Sequence, residues 1–370
     1  MGKNLLVLTA AVPSFLIALI AVGWVRRCAP SWGLVARPRS DRFHDRPTPL
    51  AGGLGIWLGV VGTFALGQIA LWLIDAGFIS QSQLPQLAQT HLAGIELQAP
   101  KLWTLLAAAT AMAMLGLVDD CLGLGWRLRL AVQTLIAAFM VSQGWRLSLF
   151  IDVPALMAVL SVIWLVGIVN SFNMLDNVDG LAAGVSLIAA VILAAVMLTS
   201  PQVEAGGPQL FVAGFLLVLA GGIAGFWSYN RPPASIFMGD VGSYFIGFCL
   251  AAATLMATFA GEGVPRHAIL APLCVLAVPI YDTLSVVWIR LRAGRSPFEG
   301  DKNHFSHRLI ALGLSTKQAV GTIYLLAAAC GMGALLLHQV DVVGAGVILL
   351  MVACMLAVTA ILETTARRKQ

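Results

Sequence analysis

Charge is scarce in this sequence. Asp, Glu, Lys and Arg make up 11% of its 370 residues, while 59% are hydrophobic. That balance excludes an ordinary water-soluble domain. Cysteine is sparse too: six residues lie scattered with no CxxC pair. Neither a disulfide framework nor a zinc site is expected, and the apolar cysteines read as packing residues. There is no Walker A loop, no clear internal repeat and no low-complexity tract. No nucleic-acid partner is expected. The first apolar run, Leu5 to Val25, lacks a small-residue cleavage site and is followed by Arg26 and Arg27. It is expected to stay as a span rather than to be removed as a signal peptide.

What is present in quantity is the apolar run of membrane-crossing length. About eleven are read, at 5–25, 51–74, 102–118, 130–143, 153–169, 181–199, 209–227, 240–260, 268–289, 319–338 and 343–362. The fourth is short, and a start near Leu128 is an alternative. The fold class expected is therefore an all-α polytopic membrane protein, with residues 1–370 forming one integral-membrane domain.

Sorting the basic residues orients it. Of 22 Lys and Arg, one alternate set of connections holds only Lys3, Lys101, Arg146 and Arg266, and the other set holds the rest. The richer side is cytoplasmic by the positive-inside rule, which puts the N-terminus outside and the C-terminus inside. The outer segments 75–101, 200–208, 261–267 and 339–342 carry no clustered polar chemistry. The longest, 75–101, reads as an amphipathic or surface loop.

Every polar constellation falls on the inner loops, at 26–50, 119–129, 170–180, 228–240 and 290–318. The chain is organised around NSFNMLDNVDGLAAG, from Asn170 to Gly184. Asn170, Asn173, Asp176 and Asp179 recur every third residue, so on a helical turn they share one face. Helix capping would explain one of them but hardly four, and a carboxylate facing lipid is costly. They are expected to line a wet cavity or a membrane surface.

Four further clusters accompany them. RPRSDRFHDRPTPLAGG, from Arg37 to Gly53, offers Arg42, His44 and Arg46 to phosphates; a loop merely obeying the charge rule would explain the arginines but not Asp41, His44 and Asp45. Asp119 and Asp120 end the third span, with Arg127 and Arg129 following. Adjacent carboxylates bind a divalent metal or share a proton. As plain helix-end residues they would oppose the macrodipole. Asp240 opens the eighth span between Gly239 and Gly242, with backbone space for a phosphate or hydrated cation, or else as a helix cap. In DKNHFSHRL, His304 and His307 stand beside Lys302 and Arg308, a cationic setting that suits phosphate better than zinc. Acidic metal sites and cationic phosphate sites on one face match phosphoryl transfer from a soluble pyrophosphate donor to a phosphate in the membrane.

VDD at 118–120, NSFNMLDNVDGLA at 170–182, NRPPASIFMGDVGS at 230–243 and KNHFSHRL at 302–309 occur in the order that resembles the polyprenyl-phosphate N-acetylhexosamine-1-phosphate transferases. The resemblance covers nearly the whole chain. It implies transfer of a sugar 1-phosphate, with GlcNAc-1-phosphate favoured, from a UDP-sugar to undecaprenyl phosphate in the bacterial inner membrane. UMP is released, Mg²⁺ is required with Mn²⁺ as a candidate substitute, and a homodimer is a candidate assembly. By motif position, the resemblance makes Asp240 the Mg²⁺ ligand and Asp119 and Asp120 the catalytic pair near the acceptor phosphate. It places Asn173, Asp176 and Asp179 around the donor, Asn230 and Phe237 in the uridine pocket, and His304 and His307 in the histidine motif. Two positions depart from the pattern. Many members have a further histidine at Ser306, and relatives commonly have Gly at Asn177.

Alternatives remain. The histidine loop is less like that of the peptidoglycan translocase, whose histidines are consecutive. Tyr281-Asp282 and Gly239-Asp240 also resemble the motifs of intramembrane aspartyl proteases, in reversed order. A secondary transporter would cluster its polar groups near the midplane, often on broken helices.

Orientation is directly testable. Cys121 should react with a membrane-permeant thiol reagent and resist an impermeant one applied to intact cells; labelling from outside would overturn the inner placement of the site.

Overall fold

The computed structural model describes residues 2–36, 47–84, 86–147, 153–199, 208–257, 265–298, 300–301 and 303–367. Thirteen helices run through these residues: α1 (Gly2–Cys28), α2 (Gly53–Asp75), α3 (Gln86–Leu122), α4 (Trp126–Ser142), α5 (Pro154–Leu175), α6 (Leu181–Thr199), α7 (Pro208–Asn230), α8 (Gly239–Met256), α9 (Ala271–Val275), α10 (Ala277–Arg292), α11 (Phe305–Ala311), α12 (Thr316–Leu336) and α13 (Val342–Arg367). A two-residue antiparallel pair, Val35–Ala36 with Thr48–Pro49, is the only strand pairing among the described residues. Nearly all backbone polar groups at membrane depth are thus satisfied within helices, as hydrocarbon requires.

Nine of these helices are long and apolar enough to cross a membrane, and the pair 266–275 and 277–292, bent by 66°, makes a tenth. The protein is an all-α, multi-pass membrane protein. Among the described residues the apolar runs read from the sequence lie largely on helix, but one outer segment and two runs differ in form. The segment 75–101 is not a loop for most of its length, because α3 begins at residue 86 and runs 37 residues through Pro100. The fourth helix starts at Trp126 and has 17 residues, fewer than the roughly 20 of a perpendicular crossing. The ninth run is broken at Leu276 between α9 and α10.

The core is built on α8. It packs against α3 and α5, while α1, α2, α6 and α7 form the neighbouring layer. Residues 241–255 of α8 are buried almost without exception, so this helix is surrounded by protein rather than lipid. By contrast α13 is largely exposed along its length and faces outward.

Close approach at the start of α8 depends on glycine. A Cβ at Gly116 would stand 2.3 Å from the Asp240 carbonyl oxygen, and one at Gly53 would stand 2.2 Å from the Gly242 Cα. Neither neighbour is a movable side chain tip, so a larger residue must push the helices apart. Gly116→Ala should lower stability by about 1–3 kcal/mol, the usual cost of overpacking, read as a lower unfolding temperature in detergent. Gly94→Ala, on the same helix with nothing within 4 Å, should leave it unchanged or higher.

Candidate active site

The site lies where α3, α4, α5 and α8 end or begin together. Asp119 and Asp120 sit in the last turn of α3, but their carboxylates go separate ways. Both oxygens of Asp120 accept from the first amides of α8: Oδ1 from Asp240 N–H at 3.0 Å and Oδ2 from Val241 N–H at 3.2 Å. The macrodipole difficulty is thereby removed, because the charge lies at another helix's positive end. Gly239 adopts φ +74°, and a Cβ there would meet the Asp120 Oδ2 at 2.5 Å. The backbone space expected at the two flanking glycines is therefore taken by protein, by Asp120 at Gly239 and by Met238 and Gly53 at Gly242. Asp240 is not the cap of its helix; Asp120 is.

Asp119 is buried and receives three donors. Its Oδ1 accepts from Leu124 N–H at 2.7 Å, and its Oδ2 accepts from Tyr244 O–H at 2.9 Å and Arg129 Nη1 at 3.0 Å. Arg129 also faces Asp240 Oδ2 at 3.9 Å, beyond hydrogen-bonding distance. Asp240 Oδ1 accepts from Asn173 Nδ2 at 2.7 Å, and the same amide reaches Ser243 Oγ at 3.1 Å. The Asp240 side chain keeps 29% of its surface exposed against 3% for Asp119, so it is the carboxylate of this pair open to a ligand.

The expected shared face of Asn170, Asn173, Asp176 and Asp179 does not form. Helix α5 ends at Leu175, and Asp176 already has non-helical ψ as its cap. Asn173 points to Asp240, whereas Asn170 donates to Gln133 Oε1 on α4 at 2.7 Å. Asp179 lies in the following turn and accepts from Ala234 N–H at 2.8 Å. Asp176 is half-buried in that turn. Asn230 is buried and spends both ends of its amide on backbone, accepting from Gly180 N–H at 3.0 Å and donating to Ile236 O at 2.9 Å. It ties two loops together. The backbone of Phe237 bonds to Pro49 and Gly52, holding its half-buried ring beside the entry to α2.

The histidine motif caps and forms α11. His304 Nδ1 stands 3.0 Å from Asp282 Oδ2, while Asp282 Oδ1 accepts from Phe305 N–H at 2.6 Å. His307 meets the His304 ring edge-on, with centroids 5.8 Å apart. Arg308, expected to bind phosphate, is buried and donates to Glu363 Oε2 at 2.8 Å, to Ser285 Oγ at 2.8 Å and to Asn303 O. A cation already neutralised by a buried carboxylate acts as a tether to α13. Asp301 is held by Arg290 Nη2 at 3.0 Å. Burial alone would raise its pKa, but Arg290 and Asn303 outweigh this and hold it at about 2. Arg42, His44 and Lys302 lie outside the described residues.

Sequence reasoning missed several partners: Tyr244, Gln133, Ser243 and Glu363, and the bond from Asp282 to His304. It also could not pair its two departures. Ser306 Oγ donates to Asn177 Oδ1 at 2.5 Å, joining the histidine motif to the 176–180 turn. An exposed stack of Trp126 on Phe298, 4.1 Å apart and nearly parallel, links the same loop to the start of α4.

Asp119 and Asp240 thus share one guanidinium while Asp120 grips the amides beside them, an excess of negative charge that a divalent cation would offset. Among the described residues no group of three or more His, Cys, Asp or Glu forms a metal cage. The arrangement fits an ion held by one or two carboxylates with the remaining positions left to water or substrate.

The description "Glycosyl transferase family 4" matches residues 102–258, the stretch from α3 to α8 that carries these carboxylates. The chain is 32% identical over 346 residues to a Bacillus subtilis protein named "Probable undecaprenyl-phosphate N-acetylglucosaminyl 1-phosphate transferase", covering 91% of this chain and 86% of the relative. The chain belongs to this family. It is also 34% identical to the decaprenyl-phosphate N-acetylglucosaminephosphotransferase of Mycolicibacterium smegmatis, over 88% of this chain and 80% of that one. The Escherichia coli K12 undecaprenyl-phosphate alpha-N-acetylglucosaminyl 1-phosphate transferase is 26% identical, over 88% and 82%. Glycosyl transferase family 4 thus spans α3 to α8 here, and similarity to these relatives extends well beyond it.

The cap of α8 can be tested apart from turnover. Asp120→Ala leaves two amides without an acceptor and should cost about 0.5–2 kcal/mol. Asp120→Asn retains one acceptor oxygen and should unfold between that variant and the wild type in a thermal melt. Equal melting of all three would reject the cap.

Proposed function

We propose that the protein transfers GlcNAc-1-phosphate from UDP-GlcNAc to undecaprenyl phosphate and releases UMP, at the cytoplasmic face of a bacterial inner membrane. The observation that carries this reading is the meeting of Asp119, Asp120, Asp240, Asn173 and Arg129 at the ends of membrane-spanning helices. The relatives' names supply the sugar and the lipid class. The separation of Lys and Arg between alternate connections supports eleven crossings with the N-terminus outside.

In this reading Asp240 would hold Mg²⁺ together with the donor's phosphates, and the ion would offset charge on the transferring phosphate. Asn173 orients the Asp240 carboxylate through Oδ1, and Oδ2 stands 3.9 Å from Arg129 Nη1. Arg129, fixed by Asp119, places positive charge beside that oxygen. An oxygen of the lipid phosphate attacks the donor's β-phosphorus as the bond from that phosphorus to the UMP oxygen breaks, and UMP carries off the electron pair. A phosphate monoester has its second pKa near ~6, so at neutral pH the acceptor is mostly dianionic. Positioning and charge therefore carry most of the catalysis.

Asp119, with both oxygens engaged, is read as the anchor of Arg129. The protease alternative is disfavoured because Asp240 and Asp282 are spent on different partners, Asn173 on one side and His304 with Phe305 on the other.

Purified protein given UDP-GlcNAc, Mg²⁺ and undecaprenyl phosphate should release UMP only when the lipid is present. Asp240→Asn should lower turnover about 100-fold or more, equivalent to about 3 kcal/mol of barrier, while remaining folded. EDTA should abolish wild-type turnover. Release of UMP without lipid, or full activity of Asp240→Asn, would refute the reading.

A further inference from the structure

Asp282 is a buried carboxylate that the transfer reading leaves without a task. It is fully buried on α10, six residues past the break at Leu276, in a run apolar enough to lie in the membrane. A carboxylate at such a place is costly unless its hydrogen bonds are complete. Both of its oxygens are spent on the histidine motif, one on His304 Nδ1 and one on the Phe305 amide.

We propose, resting on the transferase reading, that Asp282 is a positioning residue that fixes the His304 imidazole with its proton on Nδ1. Nε2 is then the unprotonated ring nitrogen, able to accept a proton or a hydrogen bond from a substrate group. An imidazole has two tautomers, and a carboxylate accepting from one nitrogen selects between them and sets the ring plane. Two facts favour His304 over its neighbours as the group so prepared. Arg308, one turn on, is already neutralised by Glu363. The Ser306–Asn177 bond places the start of α11 against the 176–180 turn, beside Asp176 and Asp179.

Mere capping of α11 by Asp282 is the competing account, and Asp282→Asn separates the two. The amide oxygen can still accept from the Phe305 N–H, so the helix start is kept. Its NH₂ then faces Nδ1 and favours the tautomer protonated on Nε2 instead. The Asp282→Asn variant should melt close to the wild type and lose about 10-fold or more in kcat, as carboxylate-to-amide changes behind a working histidine do. In the His304→Ala background the same change should cost nothing further, because Asp282 acts through that ring. A second full loss in that background, or wild-type activity in either single variant, would overturn the proposal.

A readout independent of turnover completes the test. ¹⁵N shifts of labelled histidine, with His304 assigned by its absence in His304→Ala, should place its proton on Nδ1 in the wild type and on Nε2 in Asp282→Asn. A wild-type ring protonated on Nε2 alone would overturn the proposal even in an active enzyme. If Nδ1 carries the proton but UDP-GlcNAc is not turned over, the transferase reading fails and the tautomer assignment stands.

Discussion

The grip of the Asp120 carboxylate on the first two amides of α8 is the contact on which the site depends. It joins the end of one buried helix to the start of another, and it can form only because Gly116 and Gly239 let the two backbones come so close. Asp240 stands in the first turn so capped. Its position relative to Asp119 and Arg129 therefore follows from backbone packing rather than from flexible side chains. Groups held in this way need little reorganisation when charge develops near them, which is the physical basis of electrostatic catalysis.

The surrounding loops are tied by a second device, side chains that bond to the backbone of distant segments. Asp179 holds Ala234, Asn230 holds both Gly180 and Ile236, and Tyr324 donates to the Gly180 carbonyl while accepting from Trp227. Among the described residues no extended sheet registers these loops, so polar side chains do it. Several residues that look like ligand-binding groups in the sequence are, on this account, the clamps that shape a pocket. Asn230 and Arg308 are the clearest cases.

The membrane architecture was legible in the sequence because it rests on long apolar runs, each of which carries its own signal. The acidic site was legible as a set of residues but not as a geometry. Period-three spacing suggested one face for Asn170 to Asp179, yet the helix stops at Leu175 and the later residues enter a turn. Asp119 and Asp120 are neighbours in sequence but face different elements, which only the packing of α3 against α8 decides. The long α3 escaped notice because the segment 86–101 is too polar to read as a span, although it continues the same helix. Glu363 lies 55 residues from Arg308, and nothing local marks the two as partners.

The two departures from the family pattern illustrate the same limit from the other side. Ser306 and Asn177 lie 129 residues apart, and each taken alone looks like the loss of a motif residue. Together they form one short bond between the histidine motif and the turn after α5. Asn177 also donates to the Met174 carbonyl, so its amide is anchored to the end of α5 while its oxygen receives the serine. A histidine at 306 would carry a bulkier ring into a position that is 1% exposed, and a glycine at 177 would offer no side-chain acceptor. The histidine loop and the carboxylate-bearing turn are thus coupled in this chain through a small, neutral pair of side chains.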